Sequence, residues 1–171
     1  MQLFNILSKL LDYPDDELMA NLDSLIKIIK KTENINKNER KTLIDFIMWM
    51  KAHTSIEMQQ LYVETFDMNP EHDLHFTHHI FGDNSVRGPA LIDLSEHFKN
   101  DGLEVKDGEI PDYFPLILEY VSTLTELEAR VFLGHIKKII KVLAGNLAKA
   151  KSPYAKLFKI IEMHSNLAEA A

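Results

Sequence analysis

Four histidines within eight positions are the first candidates for chemistry: His72, His75, His78 and His79. On a helix His75 and His79 would share a face, as would His72 and His75, so two imidazoles could reach one metal ion. A zinc-protease helix needs a glutamate directly after the first histidine of such a pair, but Phe76 follows His75. The sequence therefore predicts no functional metal site, and adventitious metal binding or none is the better hypothesis.

The acids beside these histidines leave one enzyme alternative open. Glu71, Asp73 and Asp83 could add oxygen ligands to a metal held by the histidines. The His72-Asp73 pair also invites comparison with all-α metal-dependent phosphohydrolases, which carry a His-Asp dyad flanked by well-separated histidine and aspartate ligands. The upstream His53 and the downstream acids have no matching context, so this alternative is the weaker one.

No other segment has the residues of a catalytic site. The chain has no cysteine, which excludes disulfides, thiol chemistry and iron–sulfur ligation by its own side chains. It contains no Gly-x-Ser-x-Gly, Walker-type or Gly-x-Gly-x-x-Gly motif. Carboxylate pairs such as Asp15/Asp16 and Glu126/Glu128 stand at predicted helix starts, where they favour the helix dipole. We therefore predict a binding protein with no catalytic residue and no cofactor of its own.

Length and composition indicate one globular domain over residues 1–171, with 46% hydrophobic and 26% charged residues. The net charge of −7 argues against nucleic acid as the partner. The first residues have helical apolar spacing and lack the features of a signal peptide. No apolar run approaches the roughly 20 residues that a membrane span needs. These observations predict a cytoplasmic protein that is not inserted into a membrane.

Charge is unevenly distributed along the second half of the chain. Residues 101–128 contain eight acids and the single base Lys106, whereas residues 131–160 contain seven lysines and no acid. The acids are Asp101, Glu104, Asp107, Glu109, Asp112, Glu119, Glu126 and Glu128. Two interpretations stand: two solvated faces that balance each other, or an acidic surface that attracts a cationic partner.

Helical periodicity in nearly every segment predicts an all-α bundle of about eight or nine helices. Capping boxes at Thr54–Glu57 and Thr125–Glu128 begin two helices, and the second is predicted to continue to about Lys151. Asp112 is predicted to cap the helix that starts there. Residues 102–111 form the longest irregular stretch, where a connection crosses the bundle.

Aromatic, acidic and proline residues are interleaved between positions 61 and 120, where a plain bundle needs only Leu, Lys and Glu. Phe66 and Phe81 are explained by core packing, whereas the hydroxyls of Tyr62, Tyr113 and Tyr120 must find partners. A groove lined by such rings and by carboxylates would receive an amphipathic basic helix. The predicted groove contains Tyr62, Phe66, Tyr113 and Tyr120, and the acids expected to steer the partner are Glu64, Asp67, Glu109, Asp112 and Glu119.

Three ordered blocks in this stretch resemble those of the nitrate reductase delta-subunit family, the molybdenum cofactor assembly chaperones of respiratory nitrate reductase. The blocks are Tyr62–Asp67 with Asn69-Pro70, His79–Asp83 with Arg87-Gly88 and Ala90-Leu91, and Glu109–Leu116. The N-terminal Leu10–Pro14 segment is also similar to the family, and the flanking helices agree only in pattern.

The resemblance implies an all-helical cytoplasmic chaperone that is not a subunit of the final membrane enzyme. Its implied partner is the catalytic subunit, bound through its N-terminal segment while iron–sulfur and molybdenum cofactors are inserted, before membrane attachment. A sister chaperone for a dimethylsulfoxide-reductase-type enzyme is the runner-up, and the 109–115 block disfavours it. The sequence carries no signal for an oligomeric state. The partner-binding residues predicted on this basis are Tyr62, Glu64, Phe66, Asp67, Arg87, Glu109, Pro111, Asp112, Tyr113, Pro115, Glu119 and Tyr120.

Overall fold

Helices account for nearly all regular structure in the computed structural model, which describes residues 2–82, 84–106 and 108–166. Within these ranges there are eleven α-helices, nine of them seven residues or longer, and no β-strand. The prediction of an all-α bundle is confirmed. The described residues form one helical domain, and its extension to residues 1–171 stays a prediction. Asp83 and Asp107, named above as a candidate ligand and an acid, lie outside the described residues.

The helices follow one another with short connections. They are α1 (Gln2–Leu11), α2 (Asp16–Ala20), α3 (Leu22–Lys31), α4 (Lys37–Lys51), α5 (Ser55–Tyr62), α6 (Phe76–Phe81), α7 (Arg87–Asn100), α8 (Phe114–Thr123), α9 (Glu126–His135), α10 (Lys137–Lys149) and α11 (Ala155–Asn166). A π-helical turn, Val63–Asp67, extends α5, and a 3-10 turn, Pro70–His72, follows it. No helix in the described ranges is long and apolar enough to cross a bilayer.

Both predicted capping boxes are present. The hydroxyls of Thr54 and Thr125 accept from the backbone N–H three residues on, while Glu57 and Glu128 return to the cap N–H. These reciprocal bonds satisfy donors that a helix start otherwise leaves open. A third box at Asn36, closed by Glu39, begins α4, so three of the longer helices start at a cap that local sequence specifies.

The long helix predicted from Thr125 to about Lys151 is wrong, because the chain divides there into α9 and α10. The break lies at Ile136, whose ψ of 9° leaves the helical region and whose N–H bonds to the Gly134 carbonyl. Glycine in a helix costs about 1 kcal/mol relative to alanine, so Gly134 weakens the last turn of α9. The break lets Ile136 pack into the core as a buried residue.

Two helix pairs carry most of the core: α1 packs along α8, and α10 packs along α11. The buried Ser8 hydroxyl of α1 donates to the Pro115 carbonyl at 2.7 Å, which fixes the register of the first pair. Between the pairs, Tyr154 lies among aromatic rings, with centroids 4.8 Å from Phe66 and 5.1 Å from Phe46. This ring cluster joins α4, the π-helical turn and the α10–α11 connection into one interior.

Lys151 ends α10 in a left-handed backbone conformation, with φ of 55°. Its N–H bonds to the Ala148 carbonyl at 3.0 Å and that of Ser152 bonds to the Leu147 carbonyl at 2.9 Å. This is the Schellman arrangement, in which glycine normally occupies the left-handed position. A lysine there carries the steric cost that its Cβ meets at positive φ.

We expect Lys151→Gly to raise the free energy of unfolding by about 0.5–1 kcal/mol, because relief of the left-handed strain exceeds the added entropy of the unfolded chain. Urea denaturation measures this difference. Lys141→Gly is the matched control, since Lys141 is exposed in the middle of α10. A glycine there should lower the free energy of unfolding by about 1 kcal/mol. A loss of stability in both variants would contradict the expectation.

Candidate functional site

Three of the motif segments meet at the hydroxyl of Tyr113. This hydroxyl lies 2.6 Å from that of Tyr62 and donates to Asp12 Oδ1 at 3.1 Å. The Tyr62 hydroxyl also donates to the Leu11 carbonyl at 3.1 Å. Burial is the main cause that raises the pKa of Tyr62, and the neighbouring Tyr113 hydroxyl and Asp12 raise it further. Burial is also the main cause of the raised pKa of Tyr113. Both tyrosines therefore remain protonated and tie the N-terminal, first and third blocks together.

Asp73 and His75 form an ion pair beside this network. Their Oδ1 and Nδ1 atoms lie 2.8 Å apart, and the His75 ring packs on Tyr113 with centroids 5.4 Å apart. The hydrogen bond with Asp73 raises the pKa of His75 above 6.5 against the opposing effect of burial. Burial alone would raise the pKa of Asp73, but the bonds from the His75 side chain and backbone outweigh it and hold that pKa below 3.8.

Asp112 does not cap α8, which corrects the predicted role. Tyr113 occupies the cap position and makes no side-chain cap bond. The fully buried Asp112 carboxylate instead accepts through Oδ2 from the Thr77 N–H at 3.2 Å, from the Thr77 hydroxyl, and from Arg87 Nη2 at 3.4 Å. Arg87 Nε also donates to the Thr77 hydroxyl at 2.9 Å. Asp112 thus ties α6 and the start of α7 to the segment before α8.

The backbone reinforces the Asp112 connection. The Phe76 N–H donates to the Asp112 carbonyl at 3.1 Å, and the Phe114 N–H donates to the Leu74 carbonyl at 2.8 Å. Together they form an isolated antiparallel bridge between His75 and Tyr113. The second Asp112 oxygen, Oδ1, is buried without a hydrogen-bond partner among the described residues.

The predicted groove through Tyr62 and Phe66 is not an open surface. Tyr62 is 3% exposed and Phe66 is 2% exposed, because the two rings pack on each other with centroids 4.8 Å apart. Their part in partner binding stays a prediction. Of the other predicted site residues, Pro111, Asp112, Pro115 and Tyr120 are buried, Arg87 and Tyr113 are half-buried, and Glu64, Asp67, Glu109 and Glu119 are exposed.

A wide apolar cavity lies elsewhere, and we call it the α7–α9 groove. It encloses about 820 Å³ between α6 and α7 on one side and α9 on the other. Its walls leave large apolar side chains in solvent: Ile80 is 52% exposed, Leu127 70% and Val131 47%. The lining residues are Phe76, Thr77, Ile80, Phe81, Ala90, Asp93, Leu94, His97, Asp101, Tyr120, Leu124, Leu127, Glu128, Val131, Phe132 and His135, with no lysine or arginine.

Several residues of this lining were named in the sequence analysis, but only Tyr120 as part of a binding groove. Leu127 and Val131 lie four residues apart on α9 and look like part of an ordinary apolar stripe. The sequence does contain one indication of an exposed apolar face: Ala129 and Leu133 form a second apolar stripe on the same helix. In the structure these two residues are fully buried. Two apolar faces on one helix mean that one face needs a cover from outside the helix.

Three histidines of the 72–79 cluster have a hydrogen-bond partner nearby, and the ring of the fourth, His78, contacts that of His79. His72 Nδ1 lies 3.0 Å from the Thr65 carbonyl oxygen, and His79 Nε2 lies 2.7 Å from the Asp73 carbonyl oxygen. In the described ranges no three His, Cys, Asp or Glu side chains converge as a metal site would require. The rings therefore hold the 65–79 turns in place.

Comparison with known proteins gives the family. Residues 12–159 match the nitrate reductase delta subunit family. The chain belongs to this family. It is 31% identical over 163 residues to the nitrate reductase molybdenum cofactor assembly chaperone NarJ of Escherichia coli (strain K12), covering 95% of this chain and 69% of that protein. A probable chaperone of the same name from Bacillus subtilis (strain 168) is 29% identical over 158 residues, covering 92% of this chain and 85% of that one.

A longer relative contains the same region. The nitrate reductase-like protein NarX of Mycobacterium tuberculosis (strain H37Rv) is 24% identical over 148 residues, which are 86% of this chain and 22% of that protein. Membership in the family confirms the resemblance inferred from the three blocks. The relatives from E. coli and B. subtilis are named as assembly chaperones, so the prediction of a chaperone that is not an enzyme is also confirmed.

We expect Asp112→Ala to lower the free energy of unfolding by about 2–4 kcal/mol, because it leaves a buried N–H, a hydroxyl and the Arg87 guanidinium without their acceptor. Glu119→Ala, an exposed acid on α8, should change stability by less than about 0.5 kcal/mol. Chemical denaturation of both variants gives the comparison. A cost near 1 kcal/mol for Asp112→Ala would be that of an ordinary helix cap and would contradict the internal network.

The Asp73–His75 pair should make stability depend on pH with a defined sign. The raised His75 pKa contributes stability that is complete below pH 6.5 and is lost as pH rises through the folded-state pKa. The lowered Asp73 pKa contributes stability that is complete above pH 3.8 and is lost as pH falls through its folded-state pKa. We therefore expect the pair to contribute most between these two values.

The free energy of unfolding of the Asp73→Asn variant should differ from wild type more at about pH 5.5 than at about pH 8.5, since a larger fraction of His75 is protonated at the lower pH. His75→Gln should behave alike, and the double variant should match either single variant because both remove one interaction. Equal differences at the two pH values would contradict the pairing.

Proposed function

We propose that this chain assists molybdenum cofactor assembly of a nitrate reductase by binding the N-terminal segment of its catalytic subunit in the α7–α9 groove. The observation that carries the proposal is an open apolar groove without a lysine or arginine, in a family whose relatives are named as nitrate reductase cofactor assembly chaperones. In this role the chain acts in the cytoplasm and holds the client while its cofactors, including iron–sulfur clusters, are inserted before membrane attachment.

The size and composition of the groove suit one amphipathic helix. The α7–α9 groove encloses about 820 Å³, and most of its lining residues are apolar. Helix-in-groove recognition places three or four apolar side chains spaced at i, i+3, i+4 and i+7 into such a cleft. Burial of apolar area supplies about 25 cal/mol per Å² before the costs of ordering, so Ile80, Leu127 and Val131 gain most from a cover.

The motif residues divide into two roles in this proposal. Tyr120 lines the groove, and Arg87 and Asp112 bond to its lining residue Thr77. An indirect role, through the packing of their own segments, is proposed for Tyr62, Phe66, Pro111, Tyr113 and Pro115. The exposed acids Glu64, Asp67, Glu109 and Glu119 add a negative field that attracts a basic client. Surface charges of this kind raise association rates more than affinity.

We expect Val131→Asp to weaken binding of a peptide with about the first 15–20 residues of the client by about tenfold or more. The substitution places a charge in the apolar wall, and that charge loses its water when the peptide binds. Titration calorimetry measures the dissociation constants. Val142→Asp on α10 is the matched control: Val142 is 51% exposed, close to the 47% of Val131, and does not line the groove.

Leu127→Ser against Ile56→Ser forms a second matched pair, with exposures of 70% and 67%. Equal effects within both pairs would place the client elsewhere on the molecule. Absence of any binding by the unmodified chain, or full maturation of the reductase with the Val131→Asp variant, would overturn the proposed function itself.

A further inference from the structure

We propose that the α7–α9 groove has a direction: its acidic end, formed by Asp101 and Glu128, selects a basic side chain at one end of the bound helix. The opposite, apolar end at α6 takes the apolar side chains. This inference rests on the proposed function and deepens it, because it states which chemistry the client must present and how the client lies.

The two walls of the groove run in opposite directions. Asp101 directly follows the C-terminal end of α7, Glu128 lies in the first turn of α9, and both line the groove. One turn further along, the His97 ring stacks over Phe132 with centroids 6.3 Å apart. At the far end, the bond from Arg87 to Thr77 joins the start of α7 to α6. Asp101 and Glu128 thus mark one end of the groove, and the third lining carboxylate, Asp93, lies about two turns along α7 toward the other end.

Asp101 is held in place before any partner arrives. The Tyr120 hydroxyl, on a residue only 4% exposed, donates to Asp101 Oδ2 at 2.6 Å and lies 2.8 Å from His97 Nε2. Burial first, and then Asp101, raise the pKa of Tyr120, so this hydroxyl stays a donor. The Asp101 side chain is nevertheless 43% exposed. A carboxylate fixed by a buried donor and open to solvent loses little entropy when it pairs with a cation.

Glu128 is fixed in a similar way from the other wall. Its Oε2 accepts from the Thr125 N–H at 3.0 Å and from the Thr125 hydroxyl at 2.6 Å. These bonds lower the pKa of Glu128, so it is ionised at neutral pH although Asp101 opposes this. Two fixed carboxylates therefore lie at the same end of the groove. The described lining residues include no lysine or arginine to pair with them, and the nearest basic side chain is His97, whose Nε2 lies 4.0 Å from Asp101 Oδ2.

A cation from the client is the complement to this arrangement. A lysine or arginine between Asp101 and Glu128 gains two attractive contacts and relieves their repulsion. Phe76, Ile80 and Phe81, the described lining residues at the other end, are uncharged and would leave the same cation unpaired. Exposed pairs contribute about 0–1 kcal/mol each, so the effect on total affinity is modest. The difference between the two ends decides the orientation.

Charge reversal tests whether the acidic end of the groove binds a cation of the client. With the client N-terminal peptide as titrant, Asp101→Lys should weaken binding about tenfold, since attraction becomes repulsion. Glu96→Lys is the matched control, because Glu96 is an exposed acid of the same helix outside the groove lining. Glu128→Gln, which keeps an acceptor for the Thr125 cap, should weaken binding about threefold. Equal effects of Asp101→Lys and Glu96→Lys would overturn the inference.

Cross-linking tests the direction. The chain has no cysteine, so Leu124→Cys at the acidic end and Ile80→Cys at the apolar end each give a single thiol. Peptides with a cysteine at either terminus are mixed with each variant in a glutathione buffer. The terminus nearer the basic residues should form a disulfide with Leu124→Cys, and the other terminus with Ile80→Cys. Reversed pairing, or equal yields at both ends, would overturn the inference.

The failures of the two proposals are distinguishable. The peptide could bind the groove without a preferred direction, with an affinity that Val131→Asp lowers and Asp101→Lys does not. That result would leave the proposed function intact and overturn only the inference about direction. A peptide that does not bind at all overturns both. Replacement of the basic residues of the peptide by glutamine should abolish the difference between wild type and Asp101→Lys, which a general loss of folding would not do.

Discussion

A fully buried carboxylate has to be paired, and the Asp112 side chain is the place where this requirement organises the molecule. Removing a carboxylate from water costs several kcal/mol unless donors replace the lost solvent. Those donors come from Thr77 and Arg87, which stand 35 and 25 positions away in sequence. Because both donors belong to α6 and α7, satisfying Asp112 also places one wall of the α7–α9 groove.

The family blocks both hold segments of the fold together and line part of the groove, since Ile80, Phe81 and Ala90 of the second block are lining residues. Tyr62, Tyr113 and Asp12 share one hydroxyl network, and Asp112 holds Thr77, a lining residue. Each hydroxyl or carboxylate buried inside a domain needs a hydrogen-bond partner of defined geometry. A chain that must keep an apolar groove open in water gains from such directional bonds, because apolar packing alone would favour collapse of the two walls onto each other.

Local pattern was enough to predict much of this fold. Apolar spacing and the boxes at Thr54 and Thr125 depend on residues within four positions, so the helices and two of their starts could be read directly. The prediction that Asp112 caps α8 was wrong because its partners, Thr77 and Arg87, are brought to it by tertiary packing. In the sequence, an aspartate before a helix looks the same whether it caps the helix or bonds elsewhere. The groove was missed for a related reason: Leu127 and Val131 have the spacing of core residues, and only the fold shows that they face solvent.

The attachment of α7 shows how binding and folding share the same contacts. Phe98 is the only buried residue of this helix, so the wall is held by that ring, by Arg87 at one end and by the Tyr120–Asp101 bond at the other. Few contacts mean a low local cost of displacement relative to a fully packed helix. A client cation that pairs with Asp101 engages the anchor of the wall as well as the groove. Under the proposed function, pairing stabilises the wall in the position where Leu94 meets the apolar face of the client, so the charged and apolar parts of recognition act on the same helix.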